Sequence, residues 1–426
     1  MSKQFNEERS STLVVEGGYK LGGRIDVEGN KNSALPLLAA CLLTDQLCEL
    51  TNVPCIRDVD VMVELLSGLG ADVEGKGTTT LAVDCSKISS DEPDPSLVGR
   101  LRGSVLLIGP LLARVGTAKL APPGGDFPAR RTLSVHLEAL REMGVRERDG
   151  TGHVLDATDG LKAASFYLKE ASVTGTETAV LAAAAAKGIT EIRHAASEPH
   201  VVELCTFLSA MGVEIEGAGT STLRVHGGLK LKGATHQLQG DYIEAASWAV
   251  LGAITGGDAA VYGARAADLE PIVTVLKRLG LDCDSNDERL IVRASRMKGC
   301  SEITTAPWPA FPSDMVSLVT VLATQAEGRT LVHDWMYELR LFALEQLSGM
   351  GANLFLCDPH RIIVDGPRVL SGRILDTRDL RSGMALIAAG LAAKGVSRIG
   401  PLETVERGYG NLVTRLRSLG AQVSVE

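Results

Sequence analysis

A short phrase returns six times along the chain: two leucine-like residues three apart, the second followed at once by glycine, and then an alternation of apolar and polar positions. It is read at Leu66-Leu69-Gly70, Leu140-Met143-Gly144, Leu208-Met211-Gly212, Leu276-Leu279-Gly280, Leu347-Met350-Gly351 and Leu416-Leu419-Gly420. The glycines recur at roughly 70 residues, which marks a repeated supersecondary unit. Residues three apart share a helical face. A glycine in the left-handed region ends a helix without a Cβ clash. The alternation that follows, as in Val213-Glu214-Ile215-Glu216, is that of a half-buried strand. Each phrase therefore reads as helix, stop and strand.

Roughly 40 residues before each of these glycines a second kind of helix begins, over 34–43, 104–113, 176–186, 244–254, 315–324 and 383–393. These runs are Ala-, Leu- and Val-rich on every side, so they predict buried helices. The pattern gives an α/β chain of six β-α-β-α-β-β repeats, helices inside and strands outside. Six such units exceed one core, so they divide three and three. The expected domains are 31–238, and 1–30 plus 239–426, with the crossover near 238–241. The stretches 12–15 and 23–27 have no repeat of their own and are assigned to the C-terminal half. Two strands would then link the domains as a double-stranded hinge suited to closure over a ligand.

Composition narrows the function. At 45% apolar and 22% charged residues the chain suits packed globular cores. Aromatics are only 4% and the formal net charge is −9, which disfavours a nucleic-acid groove. No run approaches the ~20 apolar residues of a membrane span, and the polar start of the chain lacks the apolar core of a signal peptide. The expectation is a cytoplasmic protein with neither nucleic acid nor membrane as partner. The eight cysteines form no CxxC pair and read as reduced thiols. No HExxH occurs, the spacing of His194 and His200 spoils a shared helical face, and no GxxxxGK[ST] loop is present.

Chemistry collects where the buried helices begin. At one phase of the repeat stand Gly29-Asn30-Lys31-Asn32, Arg100-Leu101-Arg102-Gly103-Ser104 and Ser172-Val173-Thr174-Gly175-Thr176. The other three repeats place Gly240-Asp241-Tyr242-Ile243-Glu244, Phe311-Pro312-Ser313-Asp314 and Asp379-Leu380-Arg381-Ser382-Gly383 there. Helix starts offer free N–H groups and partial positive charge, so they attract anions. Cations there oppose the helix dipole. Any one of Lys31, Arg102 and Arg381 is compatible with a solvated cap; three at the same phase point to a strongly anionic ligand.

These residues carry a resemblance. Gly29-Asn30-Lys31-Asn32-Ser33-Ala34-Leu35-Pro36 resembles the Lys-Asn motif of the UDP-N-acetylglucosamine enolpyruvyl transferases. Pro123-Gly124-Gly125 with Arg131 and His136 resembles their mobile loop, and Ala306-Pro307-Trp308-Pro309-Ala310-Phe311-Pro312-Ser313-Asp314-Met315 their most distinctive stretch. Asp379-Leu380-Arg381 and Arg407-Gly408-Tyr409 match their last two motifs. The sister family acting on shikimate phosphate opens with Ser-Lys-Ser instead. The resemblance implies two inside-out α/β domains. It also implies transfer of an enolpyruvyl group from phosphoenolpyruvate to the 3-hydroxyl of UDP-N-acetylglucosamine with release of phosphate, the first committed step of peptidoglycan precursor synthesis.

By the same correspondence Lys31, Arg131 and Arg407 hold the phosphate, while Arg340 and Arg381 hold the carboxylate, as bidentate guanidiniums do well. Asp314 matches the base; without the flanking motif an aspartate at a helix start reads as a cap. Asn32 matches a substrate-contacting amide, and Arg102 orders substrate and loop. Ser172, Thr174 and Asp379, at the same repeat phase, complete the substrate-binding set. The catalytic set is Asp126, Asp314, Lys31 and Arg407. No cofactor and no metal is implied, since arginines and helix ends supply the electrostatic stabilisation.

The chain also departs from the family. Asp126 stands where many relatives carry the cysteine that fosfomycin attacks; a carboxyl can still deliver a proton but alkylates poorly, so insensitivity to that drug is expected. Ser134 replaces an aspartate of the uracil-facing loop, Glu170 a lysine, Leu339 an asparagine and Thr404 a histidine. The phosphoenolpyruvate half is largely intact and the nucleotide half altered. Two alternatives stay open: transfer to a different nucleotide or nucleotide-sugar acceptor, and a non-catalytic binding paralogue. Oligomeric state is left open, as are the roles of Tyr242 and Glu244 as substrate contacts or structural groups.

Overall fold

A computed structural model describes residues 10–124, 132–148, 154–338 and 340–426. The chain forms two compact units: Glu28–Gly240 with Pro307–Pro309, and the chain up to Val27 with Asp241–Ala306 and Ala310–Glu426. The sequence reading drew these divisions at 30/31 and 238/239. The placement of the crossing residues has a local cause: Gly29 bridges Gly240, and the Asn30 amide donates to the Gln239 carbonyl at 2.8 Å. The two crossing segments are thus bonded to each other inside the 28–240 unit.

At the centre of the 28–240 unit lie three helical segments: Lys31–Cys41, a 3-10 turn Arg102–Leu107 running into Ile108–Val115, and Val173–Ala185. Ala-, Leu- and Gly-rich surfaces let them approach closely. A Cβ on Gly109 would sit 3.1 Å from the Thr178 carbonyl oxygen, tighter than ordinary packing. Sheets cover this core. One runs Thr235–Gln237, Cys48–Thr51, Thr80–Asp84, Asp72–Glu74, and another Glu214–Glu216, Thr222–Gly227, Gly188–Arg193, Ser165–Tyr167. The sheet of repeat two has only three strands among the described residues: Thr117–Lys119, Val154–Asp156 and Arg146–Glu147. That corrects the expectation of six full repeats. The segment leading into its buried helix contains Pro93 and Pro95, which lack the N–H a ladder needs. Asp94 instead caps a one-turn helix, Pro95–Val98.

The C-terminal unit repeats the plan with buried helices Tyr242–Ile254, Val316–Gln325 (entered through the 3-10 turn Ser313–Met315) and Leu380–Ala392. All 13 residues of Tyr242–Ile254 are buried. Its sheets run Ile374–Asp376, Val396–Gly400, Leu13–Glu16, Gln422–Val425; Asp282–Ser285, Arg289–Arg293, Ala259–Tyr262, Gly23–Asp26; and Glu302–Thr304, Gly328–His333, Arg361–Gly366, Leu354–Asp358. Both N-terminal strands therefore join this unit. Leu13–Glu16 fills the gap left in the sixth repeat, antiparallel to both neighbours. Gly23–Asp26 runs parallel to Ala259–Tyr262, and Thr235–Gln237 takes the equivalent place beside Cys48–Thr51 in the other unit. Repeats one and four have thus exchanged their leading strands.

The six phrase glycines all end helices with positive φ: 108° at Gly70, 86° at Gly144, 106° at Gly212, 82° at Gly280, 103° at Gly351 and 96° at Gly420. Among the described residues no helix is long and apolar enough to cross a membrane. Cys41, Cys48, Cys85, Cys205 and Cys283 are buried thiols, as burial among apolar side chains favours.

Candidate active site

In the C-terminal unit the starts of all three buried helices meet. Asp241 and Asp379 are side-chain caps. Asp241 accepts from the Ile243 and Glu244 amides at 2.9 Å each, and Asp379 from the Arg381 amide at 2.9 Å and the Ser382 amide at 3.0 Å. Asp314 is not a cap. It lies in the 3-10 turn, and its carboxylate is gripped by two guanidiniums. Arg340 Nη1 donates to Oδ1 at 3.1 Å; Arg381 donates to Oδ2 through Nε at 3.1 Å and Nη2 at 2.8 Å. The N-cap position of this turn is Pro312, so Asp314 stands inside the turn with its side chain on the two guanidiniums.

A buried frame holds both arginines. Arg340 Nη1 also donates to Ser313 Oγ at 2.8 Å, and the Ser313 hydroxyl contacts both oxygens of Asp334 at 2.9 and 2.8 Å. Asp334 is fully buried and is further satisfied by Thr305 Oγ1 at 2.7 Å. Arg381 Nη1 donates to the Tyr409 hydroxyl at 3.2 Å, which lies 2.9 Å from Ser247 Oγ. Ser247 donates to the Ile243 carbonyl at 2.7 Å, so its proton is spoken for and Tyr409 is the donor between the two hydroxyls. Burial alone would lower both arginine pKa values. Asp314, with Tyr409 and Asp241 around Arg381 and Asp334, Tyr337 and Asp379 around Arg340, reverses this and raises them. Burial likewise pushes the Tyr409 phenol up despite Arg381 beside it. The result is two fixed positive charges with a carboxylate between them.

Glu244, left open by the sequence, turns away from this cluster. It pairs with Arg415, accepts from Trp248 Nε1 at 3.1 Å, and Arg415 also donates to the Asp26 carbonyl at 3.0 Å. Tyr242 is buried beside it in sequence. Glu244 is thus a structural group, tying the strand Gly23–Asp26 to the helix that follows Asp241.

In the 28–240 unit Asn30 caps its helix by accepting from the Asn32 amide at 2.7 Å. Lys31 pairs with Asp58 at 2.7 Å, both largely buried. Asp58 sits in the first turn of the next helix, Arg57–Leu69, and no sequence spacing pointed to it. Arg102 opens the 3-10 turn and donates to the Thr132 carbonyl at 3.3 Å. A Cβ on Gly103 would lie 2.7 Å from Leu35 Cδ1, so the starts of repeats one and two are in contact. Ser172 caps Val173–Ala185 by accepting from the Gly175 amide at 3.2 Å, and Thr174 Oγ1 meets His136 Nε2 at 2.9 Å. Burial first, then the Arg102 charge, pushes the His136 pKa down to about 4, so the ring is neutral near pH 7.

The structure thus gathers Asp314, Arg340, Asp379 and Arg381 in one unit, and Lys31, Asn32, Arg102, Ser172 and Thr174 at the helix starts of the other. Arg407 follows the short helix Glu403–Glu406, two residues before Tyr409, and is half-buried. Asp126, Arg131 and Leu339 lie outside the described residues. Ser134 shares a hydroxyl hydrogen bond of 2.7 Å with Thr132, and Glu170 is exposed. Lys31 and Arg381 are balanced by Asp58 and Asp314, so the chain itself offsets part of the dipole cost of cations at helix starts, and a bound anion need not supply all of it. Sequence reasoning missed Asp58 beside Lys31 in one unit, and Ser313's hydroxyl bridge and Asp334 beside Arg340 in the other, since folding alone brings them together.

A family profile described as EPSP synthase (3-phosphoshikimate 1-carboxyvinyltransferase) matches residues 15–416. The chain is similar to the UDP-N-acetylglucosamine 1-carboxyvinyltransferase of Bradyrhizobium diazoefficiens, 42% identical over 96% of this chain and 97% of that protein. That of Treponema denticola is 39% identical over 97% and 99%. Among solved structures, the enolpyruvyl transferase NikO from Streptomyces tendae has a TM-score of 0.87 at 25% identity, covering 97% of this chain and 98% of that one. EPSP synthase from Acinetobacter baumannii, with a TM-score of 0.74 at 20% identity over 98% and 99%, shares the fold. The chain belongs to the EPSP synthase family of enolpyruvyl transferases, in the group of the UDP-N-acetylglucosamine 1-carboxyvinyltransferases.

Proposed function

We propose that this chain transfers the enolpyruvyl group of phosphoenolpyruvate to the 3-hydroxyl of UDP-N-acetylglucosamine, with Asp314 as the base. The sugar oxygen bonds to C2 of phosphoenolpyruvate as its proton passes to Asp314 and C3 gains a proton. Loss of a proton from C3 and of phosphate from C2 then restores the double bond. The observation that carries the reading is the Asp314 carboxylate set between Arg340 and Arg381 at a junction of helix starts. Two fixed guanidiniums suit a carboxylate ligand, and free helix N–H groups suit anionic oxygens. Charge developing on the donor is met by groups already in place, which is electrostatic preorganisation.

In this reading Arg340 and Arg381 take the donor's carboxylate, and Lys31, Arg131 and Arg407 its phosphate. Asn32, Arg102, Ser172, Thr174 and Asp379 line the substrates, the last mainly by fixing the helix that presents Arg381. Asp126 delivers the proton to C3, and fosfomycin does not inhibit. The chain works in the cytoplasm on phosphoenolpyruvate and a UDP-sugar, in peptidoglycan precursor synthesis. Asp314→Ala should lower kcat by roughly 10²–10⁴, the range for removing a positioned general base. A variant with kcat within about threefold of wild type would remove Asp314 from that role.

A further inference from the structure

We propose that the Asp314 carboxylate is an internal competitor for the carboxylate subsite of Arg340 and Arg381, so that a substrate carboxylate seated there releases the base. The proposal rests on the reading of these residues given above. Its first support is that the base and the subsite are one cluster: both Asp314 oxygens are engaged by the guanidiniums assigned to the substrate. Lone pairs aimed at guanidinium N–H groups are not aimed at a hydroxyl.

Second, the arginines do not depend on Asp314 for their place. Arg340 is held by Ser313, itself anchored on Asp334, and its guanidinium lies 4.6 Å from the Tyr337 ring centroid. Arg381 is held by Tyr409, and its backbone amide by Asp379. One carboxylate can therefore replace another while both guanidiniums stay put. Third, the open side of the cluster is the Asp314 side: its side chain is 26% exposed, against 12% for Arg340 and 9% for Arg381. Fourth, Arg381 directs both Nε and Nη2 to the same Asp314 oxygen. An incoming planar carboxylate can instead take the two N–H groups with two oxygens, the stronger bidentate arrangement.

The test is calorimetric titration of the full chain with phosphoenolpyruvate, and with pyruvate as a probe that has the carboxylate without the phosphate. Wild type is compared with Asp314→Asn and Asp314→Ala, and turnover is measured on the same preparations. Removing an internal competitor raises the fraction of subsite available, so both variants should bind pyruvate about tenfold more tightly or better. They should also lose turnover, and Arg381→Gln in the Asp314→Asn background should erase the gain. Unchanged or weaker pyruvate binding in both variants overturns the competition even where turnover is lost, which leaves the base assignment standing. Retained turnover instead sinks the base assignment, and release of a base with it. Should neither variant fold, the wild-type chain is examined by infrared difference spectroscopy on adding ¹³C-carboxyl pyruvate. A change in an unlabelled protein carboxylate band is expected, and a flat difference spectrum there overturns the proposal.

Discussion

Lys31 and Asp58 face each other at 2.7 Å with side chains 13% and 4% exposed, so removing either takes the attraction of an ion pair from a charge held largely away from water. Lys31→Met should cost roughly 3 kcal/mol of stability, and Lys31→Met with Asp58→Leu distinctly less than the two single changes summed. Denaturant unfolding of the four chains measures this separately from activity, which Lys31→Met should also abolish. Glu244 carries a pH dependence. Burial pushes its carboxyl up to about 7 against the pull of Arg415. Between its ordinary value, about 4.3, and that point the folded chain holds a proton the unfolded chain lacks. The stabilisation is therefore complete at low pH and is lost as pH rises to about 7, with no further change above. Unfolding of wild type and Glu244→Gln at about pH 5 and about pH 8 should show the wild type losing ground to the variant as pH rises. At this scale Lys31, Asp314 and Arg381 were legible as candidates through their shared repeat phase. Asp58 and Asp334 stayed hidden because their partners are chosen by packing between elements, and no spacing encodes that.

Helix ends were the most readable elements, since each is written in local backbone chemistry. Gly212 ends Pro199–Ala210 at a φ of 106°, and a Cβ there would meet nothing within 4 Å. Gly212→Ala thus isolates the backbone cost and should destabilise the chain by about 1–2 kcal/mol in denaturant unfolding. An unchanged midpoint would mean that the turn relaxes freely. The buried helices were legible for a related reason, since an apolar surface on every side leaves no solvent face. Their first turns were not. Expected starts such as Thr176 and Gly383 fall inside helices that begin at Val173 and Leu380, three residues earlier, because Ser172 and Asp379 are the caps. Among the described residues repeat two has no fourth strand, because Pro93 and Pro95 stand where its ladder would continue, and a repeat pattern carries no mark of that.

For the whole molecule, the six-part repeat and the assignment of the N-terminal strands to the C-terminal unit followed from the sequence, since those strands precede any repeat of their own. The exchange of Gly23–Asp26 and Thr235–Gln237 between repeats one and four did not, because short strands of similar pattern carry no label of their partner. One assay reads the proposed function of the whole chain directly: phosphate release from phosphoenolpyruvate by the pure chain, with and without UDP-N-acetylglucosamine. Release that requires the sugar nucleotide, and that disappears in Asp314→Ala, is the expected result. Phosphoenolpyruvate binding without release in the presence of UDP-N-acetylglucosamine would contradict the account and direct the search to another acceptor.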